Sequence, residues 1–174
     1  DQIYDEHFYM FSANSIISIL DKFNLELVSA ERISTHGGSM RYYVKKTKSF
    51  KISKQLKQVL KYEKDLKISK IKTIKKFAAN CINSKKRILK IMNEIIAKDE
   101  DIYGYGATSK STTILHFCDV KDNFIQGIFD NTPTKINKHF PAKKIKIIDY
   151  KEFKTIKPKY CFLFAWNHYK EIFK

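Results

Sequence analysis

The segment that most constrains the fold is residues 102–110, which read Ile-Tyr-Gly-Tyr-Gly-Ala-Thr-Ser-Lys. A short apolar strand that runs into a glycine turn and then a helix is the first half of a βα unit. Gly104 and Gly106 lack a Cβ and let a ligand approach the backbone, while Lys110 in the first helical turn offers a charge to a phosphate. The third glycine of the full dinucleotide motif is absent, and Gly-x-Gly also forms plain tight turns. The pattern therefore predicts a βα turn and leaves anion binding open.

Strands and helices alternate around this turn. The predicted helices cover residues 109–118 and 167–173, and the predicted strands cover residues 102–105, 124–129, 144–148 and 160–165. Such alternation predicts an α/β fold with a small Rossmann-like parallel sheet flanked by helices. The apolar run at residues 160–165 is typical of a buried parallel strand.

Asp130 follows the second of these strands, at the sheet edge where open α/β sheets bind ligands. Two interpretations of this carboxylate stay open, a ligand contact and a cap for the turn before Pro133. Trp166 and Asn167 close the last strand at the same edge, where an indole is either core or a stacking surface for a base.

The first 50 residues have a different pattern. Ser12 is a candidate N-cap for a helix that ends near Phe23, and apolar strands follow at residues 25–33 and 40–44. This helix and antiparallel strand pair are too small to stand alone. The periodicity after residue 53 is helical. We therefore divide the chain into residues 1–50, the bridging helices of residues 51–100, and a Rossmann-like domain over residues 101–174.

The formal charge of +16, from 34 Lys and Arg against 18 Asp and Glu, raises the question of a polyanionic partner. Lysines dominate and are spread along helices, without the arginine-rich arms or aromatic-basic motifs of nucleic-acid-binding domains. The favoured explanation of the charge is that most lysines face solvent. A small ligand that carries phosphate is the second explanation, and binding of nucleic acid is not expected. No apolar run reaches membrane-spanning length, so no membrane partner is expected. The three scattered cysteines match no metal-ligand spacing and predict a cytoplasmic protein.

Glu6 and His7 form the most chemically suggestive pair, between Tyr4 and Phe8. A carboxylate beside a histidine makes the imidazole a better proton acceptor near neutral pH. From the local sequence alone, a surface acid beside a histidine that only packs is the favoured interpretation of this pair.

Five motifs occur in an order and spacing that resemble the C-terminal part of the S-adenosylmethionine-dependent sugar C-methyltransferases, which act on nucleotide-linked keto-sugars. The motifs are Tyr4-Asp-Glu-His7 with Phe11-Ser12, His36-Gly-Gly-Ser-Met-Arg41, Gly104-Tyr-Gly-Ala-Thr-Ser-Lys110, Asp130-Asn-Thr-Pro-Thr-Lys135, and Ala165-Trp-Asn167.

The resemblance implies a three-part enzyme with an N-terminal zinc module, a central methyltransferase domain and a C-terminal Rossmann-like domain. Residues 1–50 would be the end of the central domain. S-adenosylmethionine would bind mainly upstream of this chain, and zinc only in the N-terminal module. We therefore expect the chain alone to be inactive, and its exposed apolar edge to favour self-association.

The resemblance also implies roles for particular residues. His7 would be the catalytic base, Glu6 would orient it or bind the sugar, and Tyr4 would contact the sugar. The substrate-binding candidates, of which the first is the weakest, are His36, Gly104, Gly106, Lys110 and Asp130.

Two other classes remain open at this point. One is a non-catalytic Rossmann-type module that binds or senses a nucleotide, which would leave Glu6 and His7 unexplained. The other is a basic nucleic-acid-binding domain, for which net charge is the only support.

Overall fold

The computed structural model describes residues 8–35, 38–46 and 51–173. The chain divides into two compact units, one containing the described residues up to Asn80 and the other beginning at Cys81. The predicted boundaries near residues 50 and 100 stay a prediction. None of the described helices is long and apolar enough to cross a membrane.

The first unit combines helices with one antiparallel strand pair. Its elements are α1 (Ala13–Leu20), a 3-10 turn (Asp21–Phe23), β1 (Glu26–Ile33), β2 (Ser39–Lys45), α2 (Lys54–Leu66) and the start of α3 (Ile71–Ile96). Strands β1 and β2 pair in a register that sets Leu27 opposite Val44. Ser12 caps α1 as predicted, because its Oγ accepts from the Ser15 N–H at 3.1 Å while Ser15 Oγ accepts from the Ser12 N–H at 2.8 Å.

The core of this unit lies between β1 and one face each of α1 and α2. Its buried members are Ala13, Leu27, Ala30 and Leu56. Apolar side chains also remain outside this core, since Phe8 is 97% exposed and Phe23 is 67% exposed. Exposed aromatic residues of this kind favour association, and the self-association of the chain stays a prediction.

The second unit is built on a parallel sheet. It contains the end of α3, then β3 (Ile102–Tyr105), α4 (Ser109–Phe117), β4 (Ile128–Asp130), β5 (Ile147–Asp149), α5 (Phe153–Ile156), β6 (Tyr160–Leu163) and α6 (Tyr169–Ile172), with 3-10 turns at Asp122–Phe124, Tyr150–Glu152 and Trp166–His168. The four strands pair in parallel in the order β5-β4-β3-β6. This sheet, the separate antiparallel pair and the flanking helices confirm the predicted α/β fold.

The two faces of the parallel sheet are covered differently. Ile102 and Ile128 belong to the main apolar core of this unit, against which residues of α3 and α4 pack. Tyr103 of β3 and Phe129 of β4 make contacts between aromatic rings. The Tyr103 ring stacks on the Phe129 ring with 5.4 Å between their centres, and the Phe129 ring is edge-on to the Phe153 ring with 5.2 Å between centres.

Strand β6 departs from its prediction as a buried strand. It pairs only with β3 at one side of the described sheet, and Cys161 is exposed. An apolar run is compatible with a central strand and with a strand at the side of the sheet, because residue type does not show the order in which strands pair.

Candidate functional site

Gly104 lies in β3 and Gly106 lies in the turn between β3 and α4, and the structure gives each glycine a packing role. A Cβ on Gly104 would lie 2.8 Å from the Phe164 ring and 2.9 Å from Ile128 Cγ1, too close for any real contact. Gly106 has a φ of +90°, and a Cβ there would lie 2.8 Å from Ala165 Cβ. The glycines therefore allow β3 to pack closely against the core and against the segment that follows β6.

The N–H groups of this turn already have acceptors within the protein. Gly106 donates to the Phe129 carbonyl at 2.8 Å, Ala107 donates to Asp130 Oδ2 at 2.8 Å, and Thr108 donates to the Gly106 carbonyl at 2.9 Å. The carboxylate of Asp130 thus takes the place that an anionic ligand would occupy beside Ala107.

Asp130 is buried, with 8% of its surface exposed, and it has three partners. Besides the Ala107 N–H, it accepts from the Thr132 N–H at 2.8 Å and lies 3.6 Å from Lys135 Nζ. Burial raises its pKa, but hydrogen bonds from Thr132 and Ala107 and the charge of Lys135 outweigh burial and hold the pKa below its ordinary value. Asp130 therefore caps the turn that follows β4, and it also accepts a hydrogen bond from the turn between β3 and α4.

Asp130→Asn is expected to make the free energy of unfolding fall less steeply as the pH is lowered. Because the pKa of Asp130 is lower in the folded chain than the ordinary 3.8, the unfolded chain binds more protons between these values. The stabilisation is therefore complete above about pH 4 and is lost as pH falls through the folded pKa. Urea unfolding at several pH values should show a shallower acid loss in Asp130→Asn, and a stability at pH 7 lower by about 1–3 kcal/mol.

The exposed Asp99 provides a matched control for this experiment. Its φ of 58° suits asparagine as well as aspartate. An acid dependence in Asp130→Asn equal to that of Asp99→Asn would contradict the role assigned to Asp130.

Lys110 lies at the topological switch point of the sheet, between β3 and β6. Its Nζ donates to Asn167 Oδ1 at 2.7 Å and lies 5.1 Å from the centre of the Trp166 ring. Burial lowers the pKa of the Lys110 ammonium. These contacts, together with the close approach of Gly106 to Ala165, bring the segments after β3 and β6 together at this point.

A separate cleft of about 410 Å³ opens where the segment after β4 passes the first turns of α4. We call it the α4 cleft. Its hydroxyl residues are Thr108, Ser109, Thr112 and Thr134, its basic residues are Lys135, Lys138 and His139, and its apolar residues include Phe140, Pro141 and Ile147. The sequence analysis missed this set. The signals in the sequence were the third motif, which includes Thr108 and Ser109, and the end of the fourth motif, Thr134-Lys135. Lys138 and His139 enter the cleft because the chain folds back toward β5, with the Ile147 N–H donating to the Lys138 carbonyl at 2.8 Å.

The structure therefore separates the predicted substrate-binding residues. Asp130 and the glycines are used in internal packing and hydrogen bonding, and Lys110 contacts the segment after β6. Tyr4, Glu6, His7 and His36 lie outside the described residues. Their predicted roles stay predictions.

Comparison with known proteins gives two findings. A family model described as the C-methyltransferase C-terminal domain matches residues 34–174. The C-methyltransferase NovU of Streptomyces niveus is 26% identical over 173 residues, which cover 99% of this chain and 41% of NovU. The chain thus spans about two fifths of the length of this curated relative.

Proposed function

The chain belongs to the family of C-methyltransferase C-terminal domains, and from this premise we propose that it is part of an S-adenosylmethionine-dependent enzyme acting on a nucleotide-linked keto-sugar. The methyl group would be transferred to the carbon next to the ketone. The observation that carries the proposal is the family match over residues 34–174. The parallel sheet, in the strand order that nucleotide-binding folds use, supports it.

The proposed chemistry needs a base and donors around an oxygen. A hydrogen on the carbon next to a ketone is acidic enough for an enzyme base to remove, which leaves an enolate whose carbon is nucleophilic. That carbon forms a bond to the methyl group while the bond from methyl to sulfur breaks, and the proton remains on the base. Hydrogen-bond donors stabilise the enolate oxygen during this step.

The Tyr-x-Glu-His motif supplies candidates for these tasks. We propose His7 as the base, Glu6 as the group that orients it or binds the sugar, and Tyr4 as a contact to the sugar or its oxygen. S-adenosylmethionine would supply the electrophilic methyl group, and its binding is assigned to residues upstream of this chain. Catalysis then requires the longer protein.

The alternative of a non-catalytic nucleotide-binding module is less favoured. It explains the Rossmann-like sheet but gives no reason for a family match to C-methyltransferases. It also leaves Glu6 and His7 without a role.

The test is methyl transfer by the protein that includes the upstream residues. We expect label from methyl-labelled S-adenosylmethionine to appear on carbon in a keto-sugar linked to one of the thymidine, guanosine, cytidine or uridine diphosphates. The matched control is the same nucleotide-sugar with its ketone reduced to an alcohol, whose neighbouring C–H is no longer acidified by a carbonyl, so its carbon should stay unlabelled. Label on oxygen, or on no keto-sugar at all, would count against the proposal.

A further inference from the structure

We propose that the α4 cleft, and not the switch point at Lys110, binds the diphosphate of the nucleotide-linked sugar. The inference rests on the proposed function for the identity of the ligand. Its basis is the arrangement of charge, hydroxyl groups and open space on the two sides of β3.

The charge of the cleft favours an anion. Lys135, Lys138 and His139 line it, and none of the described lining residues carries a carboxylate. Asp130 partly neutralises Lys135, with which it is paired at 3.6 Å. Among the described residues, however, none pairs with the Lys138 ammonium. The cleft therefore retains a positive charge that a diphosphate would neutralise through charge-assisted hydrogen bonds.

The hydroxyl groups of the cleft add neutral donors. Thr108, Ser109 and Thr112 belong to the cap and first turns of α4, and Thr134 faces them from the segment after β4. The dipole of α4 is oriented with its positive end at this turn. Lysines and hydroxyls around a helix start are groups that bind phosphate oxygens in other proteins.

The size and the apolar wall suit a ligand larger than inorganic phosphate. A volume of about 410 Å³ lies within the range of small-molecule sites. Phe140 and Ile147 are 3% and 5% exposed, so the wall that they form is part of the packed core. The cleft can therefore hold a diphosphate at its polar side and part of the attached nucleoside or sugar against the apolar wall.

The switch point at Lys110 has fewer groups available to bind a diphosphate. The Gly106, Ala107 and Thr108 N–H groups are bonded within the protein, and the Lys110 ammonium donates to Asn167 and contacts the Trp166 ring. A diphosphate at this point would have to displace these contacts. In the α4 cleft Lys135 already donates to the Ala107 carbonyl at 2.9 Å, but no described residue pairs with the Lys138 ammonium, so a diphosphate could bind Lys138 without displacing an internal contact.

The proposal predicts which substitutions weaken binding to the chain. Calorimetry with pyrophosphate and with the four nucleoside diphosphates should show binding that Lys138→Gln weakens about tenfold, the loss of one charge-assisted hydrogen bond. Thr134→Trp fills the cleft without removing a charge and should abolish binding. Lys98→Gln removes an exposed lysine outside the cleft and should leave the affinity unchanged.

Lys110→Gln separates this proposal from its rival. Binding that is weakened by Lys110→Gln but not by Lys138→Gln would overturn the cleft and leave the proposed function intact. Absence of binding by pyrophosphate and all four nucleoside diphosphates would also overturn the cleft, while methyl transfer would still decide the function. Binding that depends on Lys138, in an enzyme that methylates no keto-sugar, would support an anion cleft and overturn the proposed function.

Discussion

His7→Ala in the longer enzyme is expected to lower kcat for methyl transfer by about 10²–10⁴-fold, the usual contribution of a general base. The reason is chemical, since no enolate forms unless a group removes the proton next to the ketone. KM for the nucleotide-sugar should change little, because the nucleotide is held elsewhere. Single-turnover transfer from labelled S-adenosylmethionine measures the effect.

A second readout isolates proton removal from methyl transfer. In deuterated water the wild-type enzyme should exchange the hydrogen next to the ketone even without the methyl donor, and His7→Ala should not. His168→Ala, which changes an exposed histidine outside the motif, serves as the control. A His7→Ala enzyme that exchanges hydrogen at the wild-type rate would refute the assignment of the base.

Glu63→Ala is expected to lower the free energy of unfolding by about 3 kcal/mol, the cost of leaving buried donors without acceptors and of losing a helix cap. Glu63 lies in α2 and is 8% exposed. Its Oε1 accepts from the Ala13 N–H at 2.6 Å, and its Oε2 accepts from the Asn14 N–H at 3.1 Å and from Asn14 Nδ2 at 2.6 Å. The carboxylate thus caps α1 from another helix and meets the positive end of the α1 dipole.

Glu63→Gln is the matched variant, because it keeps the shape but loses the charge and one acceptor. Glu63→Gln should lower the free energy of unfolding by less than Glu63→Ala does. It should lower it by more than Glu94→Gln does, which changes an exposed glutamate of α3. Urea unfolding gives the free energies, and hydrogen exchange at Ala13 and Asn14 shows whether the loss is at the start of α1. A Glu63→Ala chain within about 0.5 kcal/mol of wild type, the range of ordinary surface substitutions, would contradict the role of this cap.

Prediction from the sequence succeeded where the signal is local. Ser12 precedes an apolar period, and it caps α1 through Ser15, three residues away. The strands at residues 102–105 and 160–163 were located because apolar runs bounded by turn residues need no distant partner to be recognised. Boundaries were less exact, since the strand predicted over residues 124–129 is β4 at Ile128–Asp130, and its first predicted residue, Phe124, ends a 3-10 turn.

The site was predicted less well because its contacts join distant residues. The sequence is compatible with two roles for Asp130, a ligand contact and a turn cap, because the hydrogen bond from Ala107, 23 positions away, cannot be inferred from either segment alone. The glycines were interpreted as an approach for a ligand, whereas Phe164 and Ala165 occupy the space that their missing Cβ atoms leave. Lys138 and His139 were hidden among the many lysines, since composition does not show which charges face a cavity.

Local patterns in the sequence were enough to predict most helices and strands, the α/β class and, through five ordered motifs, the resemblance to C-methyltransferases. These predictions depend on periodicity and on residue types at short spacing, which can be recognised without knowledge of long-range contacts. Which polar groups already have hydrogen-bond partners within the protein is visible only in the folded chain. Asp130 and Glu63 satisfy N–H groups far away in the chain, and Lys110 reaches Asn167, because folding brings together residues whose separation in sequence carries no periodic signal.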